Sequence, residues 1–383
     1  MAPDPSRPPP RPGSDAGMTG ELRALTGMRG IAAWLVVIYH IRLSIAGLPE
    51  AWLAIFAKGY LAVDFFFLLS GFVIWLSWGE RLRRDGARAV PHFLHKRLAR
   101  IWPLHLFMLA CATALALLLA MTGRHSPDDY PFAQLPLHIL LLQNWGFTDH
   151  LAWNDPSWSI SAEFAAYLLF PLLALGIDWK RMQSAMIVAA ITALFVLLHA
   201  VMAQGGAMSL GTDIARFGLL RCITEFAAGT AICALWLRWR ADAVPALVGS
   251  ALVAATCMVG WAFFGLPETL AVPPLFACVL LMLALTSSWR GNLLASSPLR
   301  YLGEISYATY LGHFLLFVVF KLVLVDDAGA IPPALIMLYL VMTLAASVAL
   351  YHLVERPAQR WLNELTLPGR SPKRKNQASA SSS

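Results

Sequence analysis

An arginine and a histidine stand eleven residues apart in the first long apolar segment of the chain, at Arg29 and His40. In a regular helix this spacing is about three full turns plus 20°, so both side chains would project from one face, about 16 Å apart along the axis. A guanidinium binds anions, and a neutral imidazole accepts a proton. A snorkelling arginine and a structurally bonded histidine fit the same spacing, so the pair alone leaves both interpretations open.

A second polar stripe runs along the segment NDPSWSISAEFAAYLLFP, which also carries Trp158. Ser159, Glu163 and Tyr167 recur at intervals of four residues, so a helix would present them on one face. Glu163 could hold His40 in one tautomer, as carboxylates do for catalytic imidazoles. It could equally pair with an arginine for packing, and the sequence favours neither role.

Other ionisable residues also lie in apolar segments, where an unpaired charge costs several kcal/mol. Arg221 and Glu225 are four residues apart, which suits a neutralised pair, although Arg221 could instead bind a carboxylate or phosphate. Asp64 begins another segment and could cap its helix or pair with Arg29 or Arg42. Each of these residues therefore has a structural and a ligand-binding interpretation.

Hydroxyl groups and a histidine cluster in the segment YLGEISYATYLGHF. Ser306, Tyr310 and His313 would fall near one helix face, with Tyr307 beside them. This stripe suits either a hydrated cavity or hydrogen bonds between helices. Upstream, the segment HFLHKRLARIWP belongs to a loop with seven basic residues, which suits anionic lipid contact or a ligand with several phosphates.

The elements that must position these residues are membrane-spanning helices. Only 13% of the 383 residues are charged, 58% are hydrophobic, and the apolar residues come in runs long enough to span a bilayer. An all-α polytopic bundle of about ten transmembrane helices is therefore predicted. The predicted spans are 26–47, 60–78, 101–122, 158–177, 183–203, 214–237, 244–265, 271–288, 301–325 and 332–354.

Basic residues concentrate on alternate loops, which places both termini on the cytoplasmic side of a cell (inner) membrane. The segment 132–153 is too short to span and is expected to be an outer loop that dips into the protein. Residues 1–20 are expected to form a disordered Pro-rich tail, and residues 361–383 a basic Ser-rich tail. The net charge of +7 follows the loops and does not indicate nucleic acid.

Six segments, taken together and in order, resemble the acyltransferase-3 family of integral membrane O-acyltransferases. They are LTGMRGIAAWLVVIYH, GYLAVDFFFLLSGFVIW, FLHKRLARIWPLH, NDPSWSISAEFAAYLLFPLL, YLGEISYATYLGHF and HLVERP. The resemblance covers residues from about 22 to 360 and is to the type without a fused extracytoplasmic domain, so one transmembrane domain at 21–360 is expected. It implies transfer of an acyl group, commonly acetyl, from acyl-CoA to a hydroxyl of a polysaccharide, lipo-oligosaccharide or glycosylated natural product.

The resemblance also implies roles for individual residues. The family's Arg–x10–His motif falls on Arg29 and His40, and its Trp-Ser-x-x-x-Glu motif falls on Trp158, Ser159 and Glu163. His40 is expected to be the general base or to carry the acyl group, with Glu163 orienting it. The expected binders of acyl-CoA are Arg29, Arg97 and Arg100, and those of the acceptor are Asp64, Trp158, Ser159, Tyr167, Arg221, Tyr307, Tyr310 and His313.

Acyl-CoA is expected as a co-substrate, with no tightly bound cofactor and no metal. The main alternative is a transporter or flippase for a lipid-linked sugar, because polar stripes inside the membrane would serve it equally. A member of the unrelated membrane-bound O-acyltransferases is a weaker alternative, since their characteristic histidine lies late in the chain.

Overall fold

The computed structural model describes residues 22–124, 126–289 and 291–365. Within these ranges the regular structure is helical, and the only β-type pairing is one isolated bridge between Ile45 and Ile331. The helices are α1 (Arg23–Ile41), α2 (Glu50–Phe56), α3 (Ala62–Ile74), α4 (Glu80–Asp85), α5 (Val90–Met121), α6 (Leu135–Ile139), α7 (Trp158–Gly176), α8 (Ser184–Gln204), α9 (Ile214–Trp239), α10 (Ala243–Phe263), α11 (Glu268–Thr286), α12 (Ser297–Glu304), α13 (Ser306–Leu324), α14 (Pro333–Leu350) and α15 (Arg356–Glu364).

Two π-helical turns interrupt this pattern. Trp75–Gly79 follows α3, and Tyr351–Glu355 follows α14. The predicted tail 1–20 lies outside the described residues, as does the predicted tail 361–383 beyond residue 365. The start of that second tail belongs to α15, which continues to Glu364.

Nine helical stretches of the described chain are long and apolar enough to cross a membrane. One of them, Glu50–Met121, has 72 residues and contains the two predicted spans 60–78 and 101–122, which correspond to α3 and α5. Each of the other stretches contains one predicted span. The prediction of an all-α polytopic membrane bundle is therefore confirmed, whereas the cytoplasmic placement of both termini stays a prediction.

The segment 132–153 does dip into the protein, as the sequence predicts. It contains only the short helix α6 and then an irregular run in which Gln143 and Asn144 are buried. The side-chain amide of Asn144 donates to the carbonyl oxygen of Ile214 over 3.1 Å, and Trp102 donates to the carbonyl of Ile139 over 2.8 Å. Neighbouring helices therefore bond to part of this irregular segment, as expected for irregular backbone at membrane depth, although Oε1 of Gln143 and Oδ1 of Asn144 are buried without a described partner.

Small residues let the central helices approach closely. Helix α9 lies at the centre of the bundle and packs backbone to backbone on α3, where a Cβ on Gly229 would collide with the carbonyl of Leu68. In the same way, α12 packs on α1, because a Cβ on Gly303 would collide with the carbonyl of Thr26. Such close contacts are typical of membrane helices. They fix α9 against α3 and α12 against α1, and α1, α3 and α12 contribute residues to the candidate site.

Candidate active site

The close contact between α1 and α12 brings Arg29 to the start of α13. Its Nη2 donates to Oγ of Ser306 over 3.1 Å, while the hydroxyl of Ser306 donates to the carbonyl of Gly303 over 2.8 Å. This single contact orients the guanidinium of Arg29 and leaves most of its five N–H groups without a protein acceptor. The arginine is therefore held in place but retains donors for a ligand.

Two further guanidiniums come from α5. Arg100 forms an ion pair with the buried Glu355, at the end of the second π-helical turn. Arg97, one helical turn earlier, makes no hydrogen bond or ion pair with any residue that the structure describes, and its Nε atom is buried. Arg29, Arg97 and Arg100 together form a cluster that we call the arginine cluster. The cluster has three positive charges, and the ion pair with Glu355 neutralises one of them.

The arginine cluster lies where two cavities meet. A wider one, the vestibule, has a volume of about 590 Å³ and opens at the basic end of the bundle. A narrower one, the inner cavity, has a volume of about 180 Å³ and extends between α3, α5, α7 and α13. The vestibule is lined by Arg23, Thr26, Arg29, Arg100, Arg300, Glu304, Tyr351 and Gln359. Both cavities are lined by Arg29 and Arg100, so a molecule passing from one to the other must pass these two side chains.

Glu163 and Tyr167 line the inner cavity beside the arginine cluster. The Oε1 atom of Glu163 accepts hydrogen bonds from the hydroxyls of Ser70 and Tyr167, each over 2.5 Å. The sequence-based expectation that Glu163 orients His40 directly is not met, because the hydrogen bonds of His40 go to other groups. Glu163 instead adds one negative charge to the wall that carries the three guanidiniums.

Hydroxyl groups line the far part of the inner cavity. Tyr310 and Ser159 form a hydrogen bond of 2.7 Å, and the Ser159 hydroxyl also lies 3.0 Å from the carbonyl of Pro156. If Ser159 donates to Pro156, the phenol of Tyr310 donates to Ser159. The neighbouring Tyr307 lines the same cavity and donates to the carbonyl of Ile101 over 2.5 Å. With Tyr167, all four predicted substrate-binding hydroxyls therefore do line one cavity.

His40 and His313 form a pair that lies next to this cavity, behind the residues that line it. Nε2 of His313 lies 3.2 Å from Nδ1 of His40, and the ring of His313 is 6.3 Å from that of Tyr310. Each Nδ1 atom also faces the carbonyl four residues earlier on its own helix, that of Val36 for His40 at 2.8 Å and that of Thr309 for His313 at 3.0 Å. A carbonyl only accepts, so both Nδ1 atoms carry the proton when the rings are neutral.

This assignment sets the direction of the bond between the two rings. Nε2 of His313 has a lone pair and accepts from Nδ1–H of His40, a proton that is shared with the closer carbonyl of Val36. Nε2 of His40 is then unprotonated, and no residue that the structure describes bonds to it. His40 is partly exposed, so this nitrogen is a base available to a ligand. The arrangement holds an imidazole in one tautomer, as a catalytic base requires.

Asp64 and Arg221 do not line the cavities, although the sequence predicts that they bind substrate. Arg221 donates from Nη2 to both carboxylate oxygens of Asp64, over 2.8 and 2.9 Å, and both side chains are fully buried. The alternative that Asp64 caps its helix is wrong, and Arg221 pairs with Asp64 in preference to Glu225. Trp158 is buried against the guanidinium of Arg221, so this predicted ligand residue serves packing.

Some residues of the site were not predicted from the sequence. Ser70 has no distinctive neighbours in its apolar segment, and Glu355 enters only through the segment HLVERP. Thr309 contributes a backbone carbonyl, which side-chain patterns cannot reveal. Of these residues, only Glu355 has a signal in the sequence. It is a carboxylate in a basic segment, and such a charge needs a cation nearby.

Comparison with known proteins supports the resemblance noted above. A family model described as an acyltransferase domain matches residues 22–352. The chain is 32% identical over 378 residues to the acyltransferase MdmB of Streptomyces mycarofaciens, covering 89% of this chain and 92% of that protein. It is 26% identical to YrhL of Bacillus subtilis, which is named as a candidate peptidoglycan O-acetyltransferase, and 22% identical to the O-acetyltransferase OatA of Staphylococcus aureus.

These matches cover 87% and 88% of this chain, but only 54% of YrhL and 57% of OatA. No solved structure matches. A family match over most of the chain, and a relative covered over nearly its full length, agree with the motifs and the helical bundle. The chain therefore belongs to the acyltransferase-3 family and is an acyl-transferring, multi-pass membrane enzyme.

Proposed function

We propose that the enzyme moves an acyl group, most simply acetyl, from acyl-CoA to a hydroxyl of a sugar or glycoside. The observation that carries this proposal is the arginine cluster at the junction of the vestibule and the inner cavity. Coenzyme A is a polyanion with a long narrow arm. A basic entrance followed by a narrow cavity matches both properties.

The donor binds with its phosphates at the arginine cluster. Guanidiniums form paired, charge-assisted hydrogen bonds with phosphate oxygens. Arg97 has no protein partner among the described residues, and Arg29 has one. Both therefore have donors available, whereas Arg100 already shares its charge with Glu355. The pantetheine arm enters the inner cavity and brings the thioester towards Ser159 and Tyr310.

His40 serves as the general base of the transfer. Tyr310 lines the inner cavity, and its ring lies 6.3 Å from that of His313, so the histidine pair is next to the end of the cavity that the thioester would reach. Nε2 of His40 takes the proton of the acceptor hydroxyl while its oxygen attacks the thioester carbonyl. The carbon–sulfur bond then breaks, and the leaving thiolate takes the proton back from His40, which restores the neutral ring.

His313 acts as a neutral counterpart of the carboxylate in a catalytic triad. It accepts the hydrogen bond from Nδ1–H of His40 both before and after His40 is protonated. The bond is stronger when His40 is charged, because charge-assisted hydrogen bonds exceed neutral ones. The pair therefore stabilises the charged ring at the moment of reaction without keeping it permanently protonated.

The names of the relatives support a carbohydrate acceptor. Two of them are named as O-acetyltransferases, one for peptidoglycan, and a third as an acyltransferase. A donor of the cytosol and an acceptor of the cell envelope would meet in a cell (inner) membrane. The basic vestibule would then face the cytosol, in agreement with the distribution of basic loops.

The proposal is tested with the purified full chain in liposomes and acetyl-CoA labelled in the acetyl group. Peptidoglycan fragments, a lipo-oligosaccharide and a glycosylated macrolide serve as acceptor probes. We expect label on at least one acceptor, with release of one thiol for each acetyl transferred. Unmodified acceptors together with transport of a lipid-linked sugar would contradict the proposal. Mass spectrometry of glycans from a knockout strain, which should lack an acetyl substitution, gives an independent check.

A further inference from the structure

A second cavity lies between α8, α9, α10 and α11, away from the active site. Its volume is about 630 Å³, within the range of pockets that bind ligands of moderate size. Its walls are mainly apolar, with side chains such as Ile191, Phe195, Leu235, Val253 and Leu281. It exists because α10 packs on α11 but has only Ser250 and Ala254 buried.

The apolar lining of this cavity indicates what kind of molecule can occupy it. Water needs two to four polar partners, and few polar side chains are available here. An empty space of this size is unfavourable beside close-packed helices. Its lining residues Val188 and Val253 are exposed on helices long and apolar enough to cross a membrane, so the cavity is open on a side where acyl chains would be the abundant apolar material. A hydrocarbon chain is therefore the occupant that suits the walls.

One end of the cavity is charged. Arg238 lies there with Trp239 and Asp242. Arg238 donates to the carbonyls of Trp179 and Lys180, over 2.7 and 2.9 Å, which fixes its position, and no described carboxylate forms an ion pair with it. Its positive charge is thus available to a phosphate, while the nearby Asp242 disfavours a ligand with excess negative charge.

The depth of the cavity matches one leaflet. Lining residues on α10 extend from Pro245 to Val253, which is about 12 Å along a helix axis. Half of a hydrocarbon core of about 30 Å is about 15 Å. We propose that this cavity binds a glycerophospholipid, with one acyl chain between the four helices and its phosphate at Arg238. This site is separate from the arginine cluster and does not depend on the proposed reaction.

Gly249 offers a direct way to fill the cavity. It lines the cavity, and a Cβ added to it would meet no atom within 4 Å. Native mass spectrometry of the delipidated full chain, titrated with phosphatidylglycerol, should show one saturable lipid on the wild type. We expect Gly249→Phe to bind that lipid at least ten-fold more weakly. The matched control Ala251→Phe, at an exposed position of the same helix, should bind as the wild type does.

The headgroup is tested with three lipids. Phosphatidylglycerol and phosphatidylethanolamine should both bind, whereas diacylglycerol, which lacks phosphate, should bind at least ten-fold more weakly. Equal binding of diacylglycerol would overturn the role of Arg238, and unchanged binding by Gly249→Phe would overturn the site. If Gly249→Phe does not fold, a labelling experiment on the wild type tests the site instead. A phospholipid with a photoreactive chain end should label α10 or α11 at cavity residues, and labelling confined to exposed faces would overturn the proposal.

Discussion

Two regions of this protein place guanidinium groups at membrane depth, and they treat the charge differently. Between α3 and α9, Arg221 donates three hydrogen bonds to the Asp64 carboxylate, and both residues are fully buried. At the arginine cluster, Arg97 has no described partner and Arg29 has one hydroxyl. In the first region a carboxylate matches the guanidinium, although Nη1 of Arg221 and both carboxylate oxygens of Glu225 have no described partner. In the second, donors of Arg29 and Arg97 without a described acceptor lie beside a cavity.

The difference teaches how a charge in a membrane protein can be assigned to structure or to function. Arg29 and Arg221 are equally noticeable in the sequence, because each interrupts an apolar segment, whereas Arg97 lies among the basic residues of a loop. What separates them is whether a carboxylate on a neighbouring helix matches the guanidinium. A matched pair is a structural contact between two helices, whereas an unmatched cluster beside a cavity is a candidate for binding an anion.

The largest expected effect comes from breaking the matched pair. Arg221→Met leaves Asp64 charged and buried beside Glu225, which should lower the free energy of unfolding by about 3–5 kcal/mol. Thermal unfolding of the purified protein in detergent measures this loss. The double variant Asp64→Leu with Arg221→Met removes both charges and should be more stable than Arg221→Met alone. A single variant as stable as the wild type would show that the pair does not hold α3 and α9 together.

Removal of the base should abolish activity without unfolding the protein. His40→Gln keeps a polar side chain but loses the basic nitrogen, so kcat should fall by roughly 10²–10⁴-fold. Thermal stability should change little, because His40 is only partly buried. His199→Gln is the control, since that histidine bonds to Thr269 outside the site. Full activity of His40→Gln would exclude the proposed base.

Loss of the unmatched charge should affect donor binding more than catalysis. Arg97→Gln removes a charge-assisted contact worth about 1.5–3 kcal/mol, so the KM for acetyl-CoA should rise by roughly 10–100-fold. Steady-state kinetics at saturating acceptor separates KM from kcat. Arg88→Gln, an exposed arginine at the same end that does not line either cavity, should leave both values unchanged. An unchanged KM for Arg97→Gln would remove the phosphate role.

The smallest effect is expected at Asp155, a carboxylic acid that forms no ion pair with any described residue. Burial, helped by the nearby Asp129, raises the pKa of Asp155 to about 6. The folded state therefore favours the protonated acid. The contribution of this acid to the free energy of unfolding is fully present below about pH 4, the pKa in the unfolded chain, and is lost as the pH rises through about 6. Asp155→Asn should gain about 1–2 kcal/mol of stability at pH 8 and little at pH 4. Equal effects at both pH values would contradict the assignment.

The sequence predicts the helices well because each signal is local. Length and hydropathy locate the spans, and the short segment 132–153 is recognised as one that enters without crossing. The residues of the cavity wall are also predicted well where they share a helix face, as Ser159, Glu163 and Tyr167 do. Local periodicity is sufficient for these features, since one helix alone places those side chains together.

The partners of the charged residues could not be predicted, because they depend on which spans are neighbours. Arg221 is four residues from Glu225 but pairs with Asp64, 157 positions away. His40 shares a helix face with Arg29, yet its ring contacts His313 on a helix 273 residues later. Every span has a similar apolar exterior, so composition does not encode their order in the bundle. The close contacts at Gly229 and Gly303, which do set that order, are single residues without a pattern.

The π-helical turn Tyr351–Glu355 has a consequence for how this enzyme can vary. A π-helical turn holds one residue more than an α-helical turn, and here it ends at the residue that neutralises Arg100. Because the wider turn absorbs that extra residue, deleting one residue from it would restore a continuous α-helix and keep Glu355 facing Arg100, whereas deleting two would rotate it by about 100° away. The loss of one residue here should therefore leave the donor entrance neutralised, whereas the loss of two would add a full positive charge to it without replacing any arginine.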